Sequence, residues 1–64
     1  MEIYVNGVPK VFDGSCLMDL IESEAPQKPF AVAVNTVFVS KNQYGGYVLQ
    51  DADRVEIVRP VVGG

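Results

Sequence analysis

Glu2-Ile3-Tyr4-Val5-Asn6-Gly7-Val8-Pro9-Lys10-Val11-Phe12, followed by the stripe Leu17, Leu20 and Ile21, is the stretch that decides the fold. Glu2 to Asn6 alternates and puts Ile3 and Val5 on one face. Asn6-Gly7 is the strongest short hairpin signal, because a type I′ turn needs positive φ at both central positions. Val8 to Phe12 then reads as the returning strand. Pro9 has no N–H to give to a ladder, so this strand belongs at a sheet edge. Asp13-Gly14 is a turn and Ser15 the expected N-cap. Leu17, Leu20 and Ile21, spaced i, i+3, i+4, mark the buried stripe of a helix over roughly Cys16 to Glu24. Asp19, Glu22 and Glu24 fall mainly on its other side, and Pro26 ends it.

Downstream of the helix the pattern returns to period two. Phe30 to Asn35 reads as a third strand, with Phe30, Val32 and Val34 on one face and Ala31, Ala33 and Asn35 on the other. Asn35-Thr36 turns into a short fourth strand, Val37-Phe38-Val39. Residues 40 to 47 read as irregular, punctuated by Gly45-Gly46, and Val48-Leu49 as a short extended piece. Asp51-Ala52-Asp53 is a turn. Arg54 to Arg59 is the last strand, with Val55 and Ile57 on one face and Glu56 and Val58 on the other, closed by Pro60. The order β-β-α-β-β-β gives an α+β domain, one sheet with one helix on one face. The helix stripe is expected to cover Ile3, Val5, Val32, Val34, Val55 and Ile57. No repeat or linker interrupts residues 1–64, so they read as a single domain, with 60–64 as a flexible C-terminal tail.

Composition narrows the function classes. The 64 residues can make one small domain, which buries only about 60% of its unfolded surface. With one cysteine, Cys16, and no histidine, neither an intrachain disulfide nor a Cys/His zinc site can form. The 48% apolar content must supply the core. A net charge of −3 argues against nucleic-acid binding, which needs a basic face, and against docking on anionic lipid. No apolar run approaches membrane-spanning length, and Met1-Glu2-Ile3-Tyr4 lacks the features of a signal peptide, so a cytoplasmic protein is expected.

The ending Val61-Val62-Gly63-Gly64 carries the chemistry. Glycine has no Cβ, so such a tail can enter a channel too narrow for any other residue and present a free carboxylate. With a reference pKa near 3.5 that carboxylate is an anion at neutral pH and resists nucleophiles. Activation by adenylation would neutralise it and install a leaving group. The chain has no G-x-x-x-x-G-K-[ST] phosphate loop and no paired base and nucleophile, so it reads as the substrate and carrier of such a step, not its enzyme.

Other candidates have simpler readings. Cys16 at a helix start could be an activated thiol, but a small buried hydrophobe is the commoner role. Gly45-Gly46 lacks the following helix of a phosphate site. Asp51 and Asp53 offer two carboxylates, too few for a metal, and favour a turn. Asp19, Glu22 and Glu24 read as a solvated helix face. Ala31, Ala33 and Val58 fall on the outer sheet face, with Arg59 at its rim and Val61 and Val62 beyond. An exposed apolar patch beside a reactive end is a docking surface for partner enzymes. The competing reading packs Val58 under the loop of residues 40 to 47.

The element order and terminal Gly-Gly resemble the β-grasp, ubiquitin-like sulfur carriers, and within them the small carriers of thiamin thiazole biosynthesis. The resemblance covers the whole chain. It runs through Ala31-Val32-Ala33-Val34-Asn35, Val39-Ser40-Lys41-Asn42-Gln43-Tyr44, Leu49 to Val58 and Val61-Val62-Gly63-Gly64. Ala52 stands where that family usually has glycine, which implies a turn without positive φ, and Ser40 where proline is common. The resemblance implies a mixed sheet of four to five strands with one helix, and no bound cofactor. It also implies a ubiquitin-activating-type adenylyltransferase that uses ATP and magnesium on the Gly64 carboxylate. A persulfide charged by a cysteine desulfurase would displace AMP, and the Gly64 thiocarboxylate would pass sulfur to thiazole synthase. Rival functions are sulfur carriage to molybdopterin or tRNA, a protein modifier forming isopeptide bonds, and a ubiquitin-like interaction module without chemistry.

Overall fold

The structure, a computed structural model, describes residues 1–60. The strands are β1 (Glu2–Val5), β2 (Val8–Val11), β3 (Ala31–Val34), β4 (Val37–Val39) and β5 (Arg54–Val58), with helix α1 (Leu17–Glu24) between β2 and β3. A 3-10 helix, Lys41–Gly46, lies between β4 and β5. The five strands form one mixed sheet in the order β2-β1-β5-β3-β4. The last strand therefore sits at the centre, parallel to β1 and antiparallel to β3.

The opening hairpin follows its sequence. Val5 pairs with Val8, leaving Asn6 and Gly7 as a two-residue loop with φ of 50° and 83°. Strand β2 is the edge, where the missing N–H of Pro9 costs the sheet nothing. The Asn6 side chain adds a long-range tie, its Oδ1 accepting from the Ile57 amide at 2.8 Å. That bond fastens the first turn to the last strand.

The core lies between the sheet and α1. Ile3, Val5, Val32, Val34 and Val55 are buried beneath Leu17, Leu20 and Ile21, and Ile57 is half-buried against them. The alternation of the strands and the helical stripe thus converge as their periods require. Phe12, Val39, Tyr44 and Leu49 complete the cluster.

Three local features depart from the sequence reading. The N-cap of α1 is Cys16, not Ser15. Asp19 closes the capping box, its Oδ2 accepting from the amides of Ser15 at 3.2 Å and Cys16 at 3.3 Å. Residues 41–46 are not irregular but helical, opened by Ser40 and Gln43 in a capping-box pattern, and they bury Tyr44 in the core. Gly45 and Gly46 belong to that 3-10 helix. Ala52 adopts φ 71°, against the expectation of negative φ there. Its amide donates to the Glu2 carbonyl at 2.7 Å, and Asp51 and Asp53 accept from the Glu2 and Gln50 amides. Those bonds hold a conformation that alanine alone disfavours.

Gly14 has a different requirement, close approach. A Cβ there would collide with Cζ of the buried Phe12 ring and lie 2.9 Å from Asp19 Cβ. Nearby, the Leu17 amide donates to the Tyr47 carbonyl at 2.8 Å and the Leu49 amide to that of Ser15 at 2.9 Å. The start of α1 is thereby pinned to the segment that carries Leu49 into the core.

Candidate functional site

Strand β5 runs through the centre of the sheet to Val58, with Arg59 and Pro60 beyond. Gly64, Gly63, Val62 and Val61, the expected reactive tail, lie outside the described residues, and Pro60 marks where that tail departs. The surface around Pro60 is therefore the part of the site that the fold builds.

Register defines that surface. Val58 pairs with Ala31, and Ala33 lies between Glu56 on β5 and Phe38 on β4. All five project to the face opposite the core. Val58 is 47% exposed and Phe38 71% exposed. With Pro29, Phe30, Ala31 and Pro60 they line an apolar cavity of about 220 Å³. Phe38 also borders a second cavity of about 430 Å³ between β4 and the 3-10 helix. The face is thus apolar where the chain leaves it, and a flat apolar surface in water favours a covering partner.

Of the residues expected here, Ala31 and Val58 are adjacent and accessible to different degrees, half-buried and exposed, and Arg59 is exposed beside Val58. Ala33 shares the face but is buried, because its methyl is short and flanked by longer side chains across both registers. Val58 does not pack under residues 40–47: it stands exposed on the outer face, and the side chain which that segment buries is Tyr44. Phe38 was not among the residues expected here. The alternation Val37-Phe38-Val39, with Val39 in the core, was the signal that sends Phe38 outward.

The acidic candidates have structural occupations. Asp53 Oδ1 accepts from Asn35 Nδ2 at 3.0 Å while its Oδ2 caps Gln50. Glu24 pairs with Lys10. Backbone donation from Ser15 and Cys16 holds the Asp19 carboxyl below the ordinary aspartate range. Cys16 is half-buried and free of disulfide. Among the described residues no group of three or more His, Cys, Asp or Glu side chains could hold a metal. No helix among them is long and apolar enough to cross a membrane.

The sequence model of the ThiS family matches residues 3–64. The chain belongs to the ThiS family. Membership places it with small carrier proteins of thiamin biosynthesis. Its fold is similar to the crystal structure of a thiamine biosynthesis protein, ThiS, from Geobacter metallireducens. The TM-score is 0.85 at 23% identity, over 100% of both chains. It is also similar to the solution structure of a thiamine biosynthesis protein from the same organism. There the TM-score is 0.77 at 23% identity, over 100% of this chain and 88% of the other. Comparison with curated proteins gives no match. The mixed five-stranded sheet with one helix is the β-grasp fold of ThiS.

Proposed function

We propose that this ThiS-family chain carries sulfur as a thiocarboxylate on Gly64 for construction of the thiamin thiazole ring. The observation that supports it most directly is that the family match runs through the Gly63-Gly64 ending. A ubiquitin-activating-type enzyme with ATP and magnesium is the first partner. The Gly64 carboxylate attacks the α-phosphorus and pyrophosphate leaves. The terminal sulfur of a persulfide, charged from cysteine by a desulfurase, then attacks the acyl adenylate and AMP leaves. Cleavage of the resulting acyl disulfide by a thiol gives the thiocarboxylate, which thiazole synthase consumes.

The chain's own contribution is delivery. Val61 to Gly64 thread the activating site, where two glycines leave the terminal carbonyl unshielded. The apolar surface of Val58, Phe38 and Ala31, rimmed by Arg59, gives the partner a rigid platform from which the tail departs. Holding the tail at one point converts its encounter with the active site into a local search.

Intact mass after incubation with the activating enzyme, ATP, desulfurase and cysteine tests this reading. A gain equal to sulfur in place of oxygen, absent after deletion of Gly64, is expected. No gain, with the enzyme active on a carrier it is known to charge, would leave the interaction module without chemistry as the better reading.

A further inference from the structure

We propose that Lys28 and Lys41 form a docking pocket for a carboxylate side chain of the activating enzyme, an inference that rests on the carrier reading above. Lys28 lies between α1 and β3, and Lys41 opens the 3-10 helix. These two separate segments bring two lysines to the lining of one cavity of about 250 Å³, shared with Pro29, Phe30 and Tyr44.

The distribution of charge makes the pair unusual. The chain holds eight acidic and five basic side chains. Lys10 is paired with Glu24, and the Arg54 guanidinium lies 5.2 Å from the Tyr4 ring centroid. Neither Lys28 nor Lys41 has a carboxylate partner among the described residues. No Asp or Glu lines this cavity or the apolar one beside Pro60. The remaining cation, Arg59, sits between Val58 and Pro60, which both line that apolar cavity. An acidic protein has therefore collected three of its five cations at the end from which the tail departs.

The two cavities adjoin, since Pro29 and Phe30 line both. The surface reads as a basic pocket, an aromatic divide and an apolar patch. Its complement is a partner surface with an Asp or Glu side chain set beside an apolar one. The two lysines offer ammonium donors to a carboxylate, while Phe30 and the buried Tyr44 supply an apolar wall for its methylenes. Such a contact fixes the rotation of the carrier about its tail, which an apolar patch alone leaves loose.

The test follows ATP–pyrophosphate exchange by the activating enzyme against carrier concentration, for wild type, the double variant Lys28→Gln/Lys41→Gln, and Lys10→Glu. Both variants lower net charge equally, and circular dichroism confirms that each is folded. The double variant is expected to raise the half-saturating concentration about fivefold or more at low salt, with the gap closing as salt is added and the maximal rate unchanged. Lys10→Glu is expected to stay within about twofold of wild type. Equal shifts in both variants, or none in the double variant, would overturn the docking pocket and leave the carrier reading intact. Unchanged saturation with saturable binding of inorganic phosphate to the isolated chain would assign the pocket to a free anion instead. No exchange with wild type, by an enzyme active on a known carrier, would overturn the carrier reading and the pocket together.

Discussion

The two faces of the sheet use the same residue types to opposite ends. On the closed face, Ile3, Val5, Val32, Val34 and Val55 meet Leu17, Leu20 and Ile21 and lose nearly all contact with water. On the open face, Val58 and Phe38 stand as apolar and as large, yet remain 47% and 71% exposed. A helix of eight residues and one 3-10 turn are enough to cover one side of five strands. Other exposed apolar residues are scattered, Val8 and Val11 on the far edge strand and Val48 after the 3-10 helix, but Phe38 and Val58 line one cavity beside Pro60. Hydrophobicity by itself does not separate core from docking surface; the position of the single covering layer does.

Substitutions can break that contrast or sharpen it. The largest loss of stability is expected for Leu20→Ala, which empties a fully enclosed site and should cost about 2–5 kcal/mol in urea unfolding. A loss below about 1 kcal/mol would mean the closed face is loosely packed. Gly14→Ala comes next. The new methyl must displace the Phe12 ring or the Asp19 cap, an overpacking expected to cost about 1–3 kcal/mol.

On the open face the expectation inverts. Phe38→Ser and Val58→Asp should leave stability within about 0.5 kcal/mol of wild type, as surface changes do. They should nevertheless raise the carrier concentration needed for half-maximal adenylation severalfold. A large stability loss without an effect on adenylation would make the open face structural.

Two smaller effects probe the frame that sets the closed face. The Asp19 carboxyl is held below its ordinary value by backbone donors present only in the folded state. Its stabilising effect is therefore complete above the unfolded value of about 3.9 and is lost as pH falls through the folded value. The stability difference between wild type and Asp19→Asn should be constant near neutrality and shrink below about pH 4. Ala52→Gly should raise stability by up to about 1 kcal/mol, because the left-handed conformation penalises alanine while glycine gives back part of that gain as unfolded-chain entropy. A loss of stability would show that the Ala52 methyl is needed.

The outward placement of Val58 was legible in the same terms as the core. Alternation in Arg54–Val58 sends Val58 outward while Val55 goes in, whereas the cross-strand partner Ala31 came from the antiparallel pairing of β3 with β5. Phe38 could be placed by the same rule from Val39. Ala33 could not be recognised as buried, because its burial depends on what stands opposite it on two neighbouring strands. The Lys28 and Lys41 pocket was illegible for the same reason: no sequence spacing links a residue after α1 to one at the start of the 3-10 helix.

The local elements were set by neighbouring residues. Asn6-Gly7 fixed the hairpin, Pro9 its edge position, and the i, i+3, i+4 leucine and isoleucine stripe the face of α1, because turn dihedrals and side-chain periods are properties of neighbouring residues. Long-range packing put β5 between β1 and β3. It likewise decided that Tyr44 enters the core on a 3-10 turn, and that Ala52 takes a left-handed conformation under bonds to Glu2 and its flanking aspartates. Each of these rests on partners far away in the chain, and their combined hydrogen bonds and burial outweigh the preference that the local sequence expresses.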